Sequence, residues 1–134
     1  MPHLTLTNTQ LADITAGLCQ LDGIRLSADS FKPFKFDDDT VWKIASNHGA
    51  AAQALTTFER AKKMLVAQHG MVEGMKVTPE NAAQVQAFMA ALDALQERPV
   101  EVPGLEKIKR SELKVGSNPI APSTLARLMP ILEG

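Results

Sequence analysis

The stretch DDDTVWKIASNHGAAAQALTTFERAKKMLVAQHG, Asp37 to Gly70, decides the fold class. Val41, Ile44, His48, Ala51, Leu55, Phe58 and Leu65 recur at alternating steps of three and four, with Lys62 the only break. That spacing makes one face of a helix apolar. Asp37, Asp38 and Asp39 offer a cap and negative charge at its start, and Gly70 can take the left-handed turn that stops it. Unbroken from Asp38 to His69, the helix would run about 48 Å at ~1.5 Å per residue. Its weak point is Asn47-His48-Gly49, because a glycine inside a helix costs about 1 kcal/mol relative to alanine. Ala50, Ala51, Ala52 and Ala54 follow at once and permit close helix approach. The expectation is one helix, with a bend allowed at Gly49. On its surface, Asp39 and Lys43, and Glu59 and Lys63, are acid-before-base pairs four apart.

Outward from this helix the pattern is simpler. Leu4 and Leu6 alternate with polar neighbours in a short strand from His3 to Leu6. Thr7, Asn8 and Thr9 are cap candidates for a helix from about Thr9 to Asp22, with Leu11, Ile14, Leu18 and Leu21 on one face and Gly23 at its end. From Ile24 to Phe36 no period is sustained, and FKPFKF reads as an extended edge segment around Pro33. Met71 to Val77 is a loop. Thr78 and Pro79 predict the start of a further helix to about Glu97, lined by Ala82, Val85, Phe88, Met89, Leu92 and Leu95.

Pro99 and Pro103 then bracket a short strand, Val100 to Val102. Ile108, Leu113 and Val115 are isolated apolar anchors among charges, and Gly116 to Pro119 is turn chemistry. Pro122 opens a last short helix carrying Leu125, Leu128 and Leu132, which Pro130 must distort or end. The sum is a single mainly α (α+β) domain over residues 1–134. It is an antiparallel helical bundle built on one long helix, with a small β-ribbon of short extended segments. The core is expected over residues 9–97, with the extended segment 98–134 packing back on the bundle.

Composition excludes several function classes. Fourteen Lys and Arg against fifteen Asp and Glu give a formal charge of −1, so no global field draws nucleic acid or anionic lipid. Cys19 is the only cysteine, which rules out an intramolecular disulfide or multi-cysteine zinc site and suits a reducing compartment. It reads as a small buried residue. MPHLTLTNTQ lacks a basic start and apolar run, and no stretch approaches the ~20 apolar residues that cross a bilayer, so neither a secretory signal nor a membrane partner is expected.

No catalytic, metal or cofactor-binding residues emerge. His48 and His69 would stand about 31 Å apart on a continuous helix, and His48 on the apolar seam reads as a packed or partner-bonded imidazole. Asp37 to Asp39 read as a helix cap rather than a cation site, because the spaced pattern of a calcium loop is absent. Neither a GxSxG elbow nor a GxxxxGK[ST] loop is present. Lys107, Lys109, Arg110 and Lys114 form the densest basic run, diluted by Glu106 and Glu112, and read as a solvated face or subunit contact. Trp42 reads as core. Phe31, Phe34 and Phe36, interleaved with Lys32 and Lys35, are the strongest signal for a partner, since an extended edge with aromatics can add a strand from a neighbour. Candidate contact residues are therefore Phe31, Phe34, Lys35 and Phe36, with Val100, Val102, Lys107, Lys109 and Arg110 as a second strip.

The order of features, from the short strand and helix through VWKIA and FERAKKMLVAQHG to PEN, PVEVPGLEKI and APSTLARLMPILE, resembles a family of small tailed-bacteriophage and prophage proteins. It covers nearly the whole chain and rests on arrangement and apolar anchors. It implies a phage origin and carries over no functional residues, the family having no established activity; the Met71 to Val77 loop is shorter than in relatives. The expected function is a non-enzymatic structural or assembly protein, a virion component of head, neck or tail. Its partners would be other phage proteins or copies of itself. The alternatives are an intracellular inhibitor or adaptor binding a host protein, and a nucleic-acid-binding regulator. The expected location is the virion or the bacterial host cytoplasm.

Overall fold

The computed structural model describes residues 4–133. His3, placed above in the first strand and one of three histidines, lies outside the described residues. Leu4–Thr7 forms β1 and Asn8–Cys19 forms α1. Thr7 caps α1 reciprocally. Its Oγ1 accepts from the Gln10 N–H at 3.1 Å, and Gln10 Oε1 accepts from the Thr7 N–H at 2.9 Å, so two otherwise orphan donors are satisfied. A 3-10 turn, Gln20–Asp22, leads into a hairpin of β2 (Gly23–Ser27) and β3 (Ser30–Pro33).

The long helix α2 (Asp38–Gln68) is continuous. Gly49 does not break it and admits no neighbouring backbone, because nothing lies within 4 Å of where its Cβ would stand. Gly70 stops the helix with φ +65°. The Met71 N–H donates to the Val66 carbonyl at 2.9 Å and the Gly70 N–H to the Ala67 carbonyl at 3.2 Å, which satisfies carbonyls the helix would leave open. At the other end Asp37 holds the cap position, but its carboxylate accepts from Lys114 Nζ at 2.9 Å instead of from the helix. Asp38 and Asp39 supply the charge the helix dipole favours.

The next helix, α3, runs Ala82–Glu97 and starts later than Thr78 and Pro79 predict. The reason is Asn81. Its Oδ1 accepts from the Thr78 N–H at 2.7 Å and its Nδ2 donates to the Lys76 carbonyl at 2.9 Å, so Pro79 is held in a closed turn. β4 (Pro99–Val102) pairs antiparallel with β1, Leu4 opposite Val102 and Leu6 opposite Val100. The chain ends in β5 (Ile108–Lys109), a 3-10 turn Arg110–Leu113, α4 (Pro122–Arg127), a 3-10 turn Met129–Ile131 and β6 (Leu132–Glu133), parallel to β5. Leu132 therefore sits on a strand, Pro130 having ended the helix. The architecture is mainly α with small two-stranded ribbons, α2 and α3 packing together. Among the described residues no helix is long and apolar enough to cross a membrane.

The buried core corrects two expectations. Its centre is α1, through Leu11, Ile14 and Leu18, with Leu6 and Leu21 beside it. Val102, Leu105, Ile108, Leu113, Ile120, Leu128 and Ile131 complete it, so the segment after residue 97 builds the core instead of packing back on it. Each such side chain contributes on the order of 1.5–3 kcal/mol when fully buried. From α2 only Ala51 joins this cluster. The stripe α2 buries runs Thr40, Asn47, Ala51 and Phe58, turned away from Val41, which is exposed. Val115 is exposed as well. The surface pairs also differ: Lys43 reaches Glu112 at 3.1 Å and Lys114 reaches Asp37, in place of pairs four apart along α2.

Close packing at one glycine joins α1 to the C-terminal chain. A Cβ on Gly17 would meet Leu128 Cδ2 at 2.9 Å and Arg127 Cβ at 3.2 Å, and Leu128 is fully buried. Two Gly→Ala substitutions in helices should therefore act in opposite directions. Gly17→Ala overpacks α1 against α4 and lowers stability by about 1–3 kcal/mol. Gly49→Ala meets open space and raises it by up to about 1 kcal/mol. Denaturant midpoints of the two variants check both signs.

Candidate functional site

The segment that carries the aromatic and basic alternation is held in place by Asn118. Its Oδ1 accepts from the Lys35 N–H at 3.0 Å, and its Nδ2 donates to the Lys35 carbonyl at 2.9 Å and to the Leu113 carbonyl at 3.0 Å. An extended chain puts residues two apart on one face, so fixing the Lys35 peptide sends Phe34 and Phe36 inward together. Their rings meet edge to face at 6.4 Å. The edge expected to be open at FKPFKF is thus partly used: β3 pairs with β2, and Lys35 with Asn118.

Phe34 and Phe36 form one wall of a cavity of about 420 Å³ between α1 and α2. Leu18, Leu21, Val41, Ile44 and Ala45 give it an apolar lining, and Cys19, Asp22 and His48 are its polar members. Cys19 is exposed, at the C-terminal end of α1, which corrects the buried reading. Its sulfur lies 3.1 Å from His48 Nε2, so His48 is the partner-bonded imidazole its place on the seam suggests. A thiol beside an imidazole can exchange a proton. Asp22 adds a carboxylate to the same lining. Among the described residues no three His, Cys, Asp or Glu side chains converge as a metal site would need.

Apolar surface is left in water at the start of α2 and on the β2–β3 hairpin. Trp42 is 75% exposed and Val41 51%, against the expectation that both are core, and Leu26 and Phe31 on the hairpin are 64% and 49% exposed. Trp42 thus presents most of its indole to solvent on the outer side of α2. Sequence reasoning grouped Trp42 with the FKPFKF aromatics but assigned it inward, because the true buried stripe of α2 is marked by Thr40 and Asn47, two polar residues.

The second strip fares differently. Val102 is 1% exposed and belongs to the core, whereas Val100 is half-buried, packing against the core and lining two surface grooves beside α2. The Lys107 ammonium donates to the Pro130 carbonyl at 3.0 Å, and the Arg110 guanidinium to the Met129 sulfur at 3.2 Å. Two of these cations thus hold the last turns of the C-terminal segment to its own earlier part, Lys114 holds Asp37 at the start of α2, and Lys109 is left exposed. Comparison with known protein families, with curated proteins and with solved structures finds no match.

Lys43, next to Trp42, is fixed by Glu112, whose two oxygens each lie 3.1 Å from Nζ. The Lys109 backbone N–H, donating to Glu112 at 3.0 Å, and then the Lys43 ammonium hold this carboxyl below its ordinary pKa. The folded chain thus binds this proton more weakly than the unfolded chain. The stabilisation is complete above the ordinary glutamate pKa of about 4.3 and is lost as pH falls through the lower folded value. Glu112→Gln should therefore lower stability at pH 7 and make the loss between about pH 4.3 and acid shallower. Unfolding curves for both proteins at neutral and acid pH measure this.

Proposed function

We propose that this protein is a non-enzymatic structural or assembly protein of a tailed phage, a small virion component of head, neck or tail. It works through protein–protein contacts. The observation that carries the reading is Trp42, the only tryptophan, held in water at the first turn of α2 beside an apolar cavity walled by Phe34 and Phe36. Large aromatics are enriched among the few side chains that dominate a protein contact. The resemblance to small phage and prophage proteins along nearly the whole chain supplies the setting. Residues 4–33 and 98–133 support the same reading: both ends are tied into ribbons and the core, giving a stiff body on which a contact face keeps its shape.

Mass spectrometry of purified virions tests this. The wild-type chain is expected in mature particles, and Trp42→Ala should reduce its incorporation by about 30-fold, which corresponds to a contact residue worth ~2 kcal/mol. Absence of the wild-type chain from mature particles would rule the virion reading out.

A further inference from the structure

We infer that the cavity between α1 and α2 receives Trp42 of a second copy of this chain, the two copies exchanging indoles across a two-fold axis. The inference rests on the reading of this face as a contact surface and names one occupant for it.

Four observations point to the second copy. The first is size: a 150 Å³ apolar cavity holds a benzene ring, and the cavity here, at about 420 Å³, has room for the larger indole. The second is chemistry. A buried indole needs an acceptor for its N–H, and Asp22 stands in the lining beside Cys19 and His48. The third is position. Val41 lines the cavity and Trp42 follows it, about 100° further round the helix, so source and receptor lie side by side on one copy. A two-fold axis passing between them satisfies both exchanges at once, residue i on j and j on i.

Charge is the fourth. Lys32 and Lys35 precede the helix, Asp38 and Asp39 begin it, and all four are exposed. A two-fold axis that sets Lys32 and Lys35 of one copy against Asp38 and Asp39 of the other makes this patch complementary to itself. A contact of standard size takes about 800 Å² from each partner, and the exposed Leu26 and Phe31 extend the apolar surface toward that size.

Trp42 and Cys19 are the only residues of their kinds and report on the face directly. The full chain is followed by sedimentation over about 1 μM to 1 mM, a range spanning weak to moderate association. The mass should double, tryptophan emission should move to the blue with the same midpoint, and alkylation of Cys19 should slow as the cavity fills. Trp42→Ala should stay monomeric with an unchanged circular dichroism spectrum, since Trp42 packs little in the monomer. Ala45→Arg, an exposed position on the cavity wall, should block association from the receiving side. A chain that stays monomeric throughout with unshifted emission overturns the inference, as does a dimer that survives Trp42→Ala. In either case incorporation into particles still decides the assembly reading separately.

Discussion

Two hydrogen bonds between the Asn47 side chain and the backbone N–H and C=O of one residue hold together what the chain's periodicity alone would not. Asn47 is fully buried; its Nδ2 donates to the Glu106 carbonyl at 2.9 Å and its Oδ1 accepts from the Glu106 N–H at 2.8 Å. The amide imitates a strand neighbour for a stretch with no regular partner. Leu105 is buried on one side of Glu106, and Ile108 is buried two residues beyond it. The backbone groups the Asn47 amide satisfies are partly buried, and a fully buried polar group left unsatisfied costs about 1–3 kcal/mol. Asn118 makes the same two-way clasp on Lys35, and Asn8 donates to the Leu95 carbonyl at 2.8 Å. Buried amides thereby join a loop to α2, one loop to another and α1 to α3, and among the described residues no buried side-chain polar atom lacks a partner.

These clasps connect fold to site. With the Lys35 peptide held, Phe34 and Phe36 turn inward as a pair and wall the cavity; with Lys43 held by Glu112, the first turns of α2 keep one orientation. Trp42 has no such tether. It stands on a stiff helix end beside a shaped cavity, with its apolar surface unspent.

Much of the fold is legible in the residues alone. α1 announces itself through Thr7 and its apolar stripe, and α2 through its period and Gly70. β1 follows from a short alternating run, and β4 from the prolines that bracket Val100 to Val102. The start of α3 is obscured because Asn81, not Thr78, closes the turn before it. The core after residue 97 is illegible for a plainer reason. Leu105, Ile108, Leu113, Ile120, Leu128 and Ile131 follow neither a 2-fold nor a 3.6-fold period, and each reaches the core through its own local turn.

At the site, the alternating FKPFKF stretch is readable as a place where aromatics gather. The direction of Trp42 is not, because a polar Asn at a core position rotates the buried stripe of α2 and leaves Val41 and Trp42 outside. Cys19 and His48 are 29 residues apart in the chain and meet only through the packing of α1 on α2. The proposed contact with neighbours lies at the start of α2 and the β2–β3 hairpin, rather than at the far end where α2 turns toward α3. Lysine-directed cross-linking of purified particles distinguishes the two ends. The account predicts links to neighbouring subunits from Lys32 and Lys35; links arising only from Lys62, Lys63 and Lys76, with Lys32 and Lys35 left free to react, would contradict it.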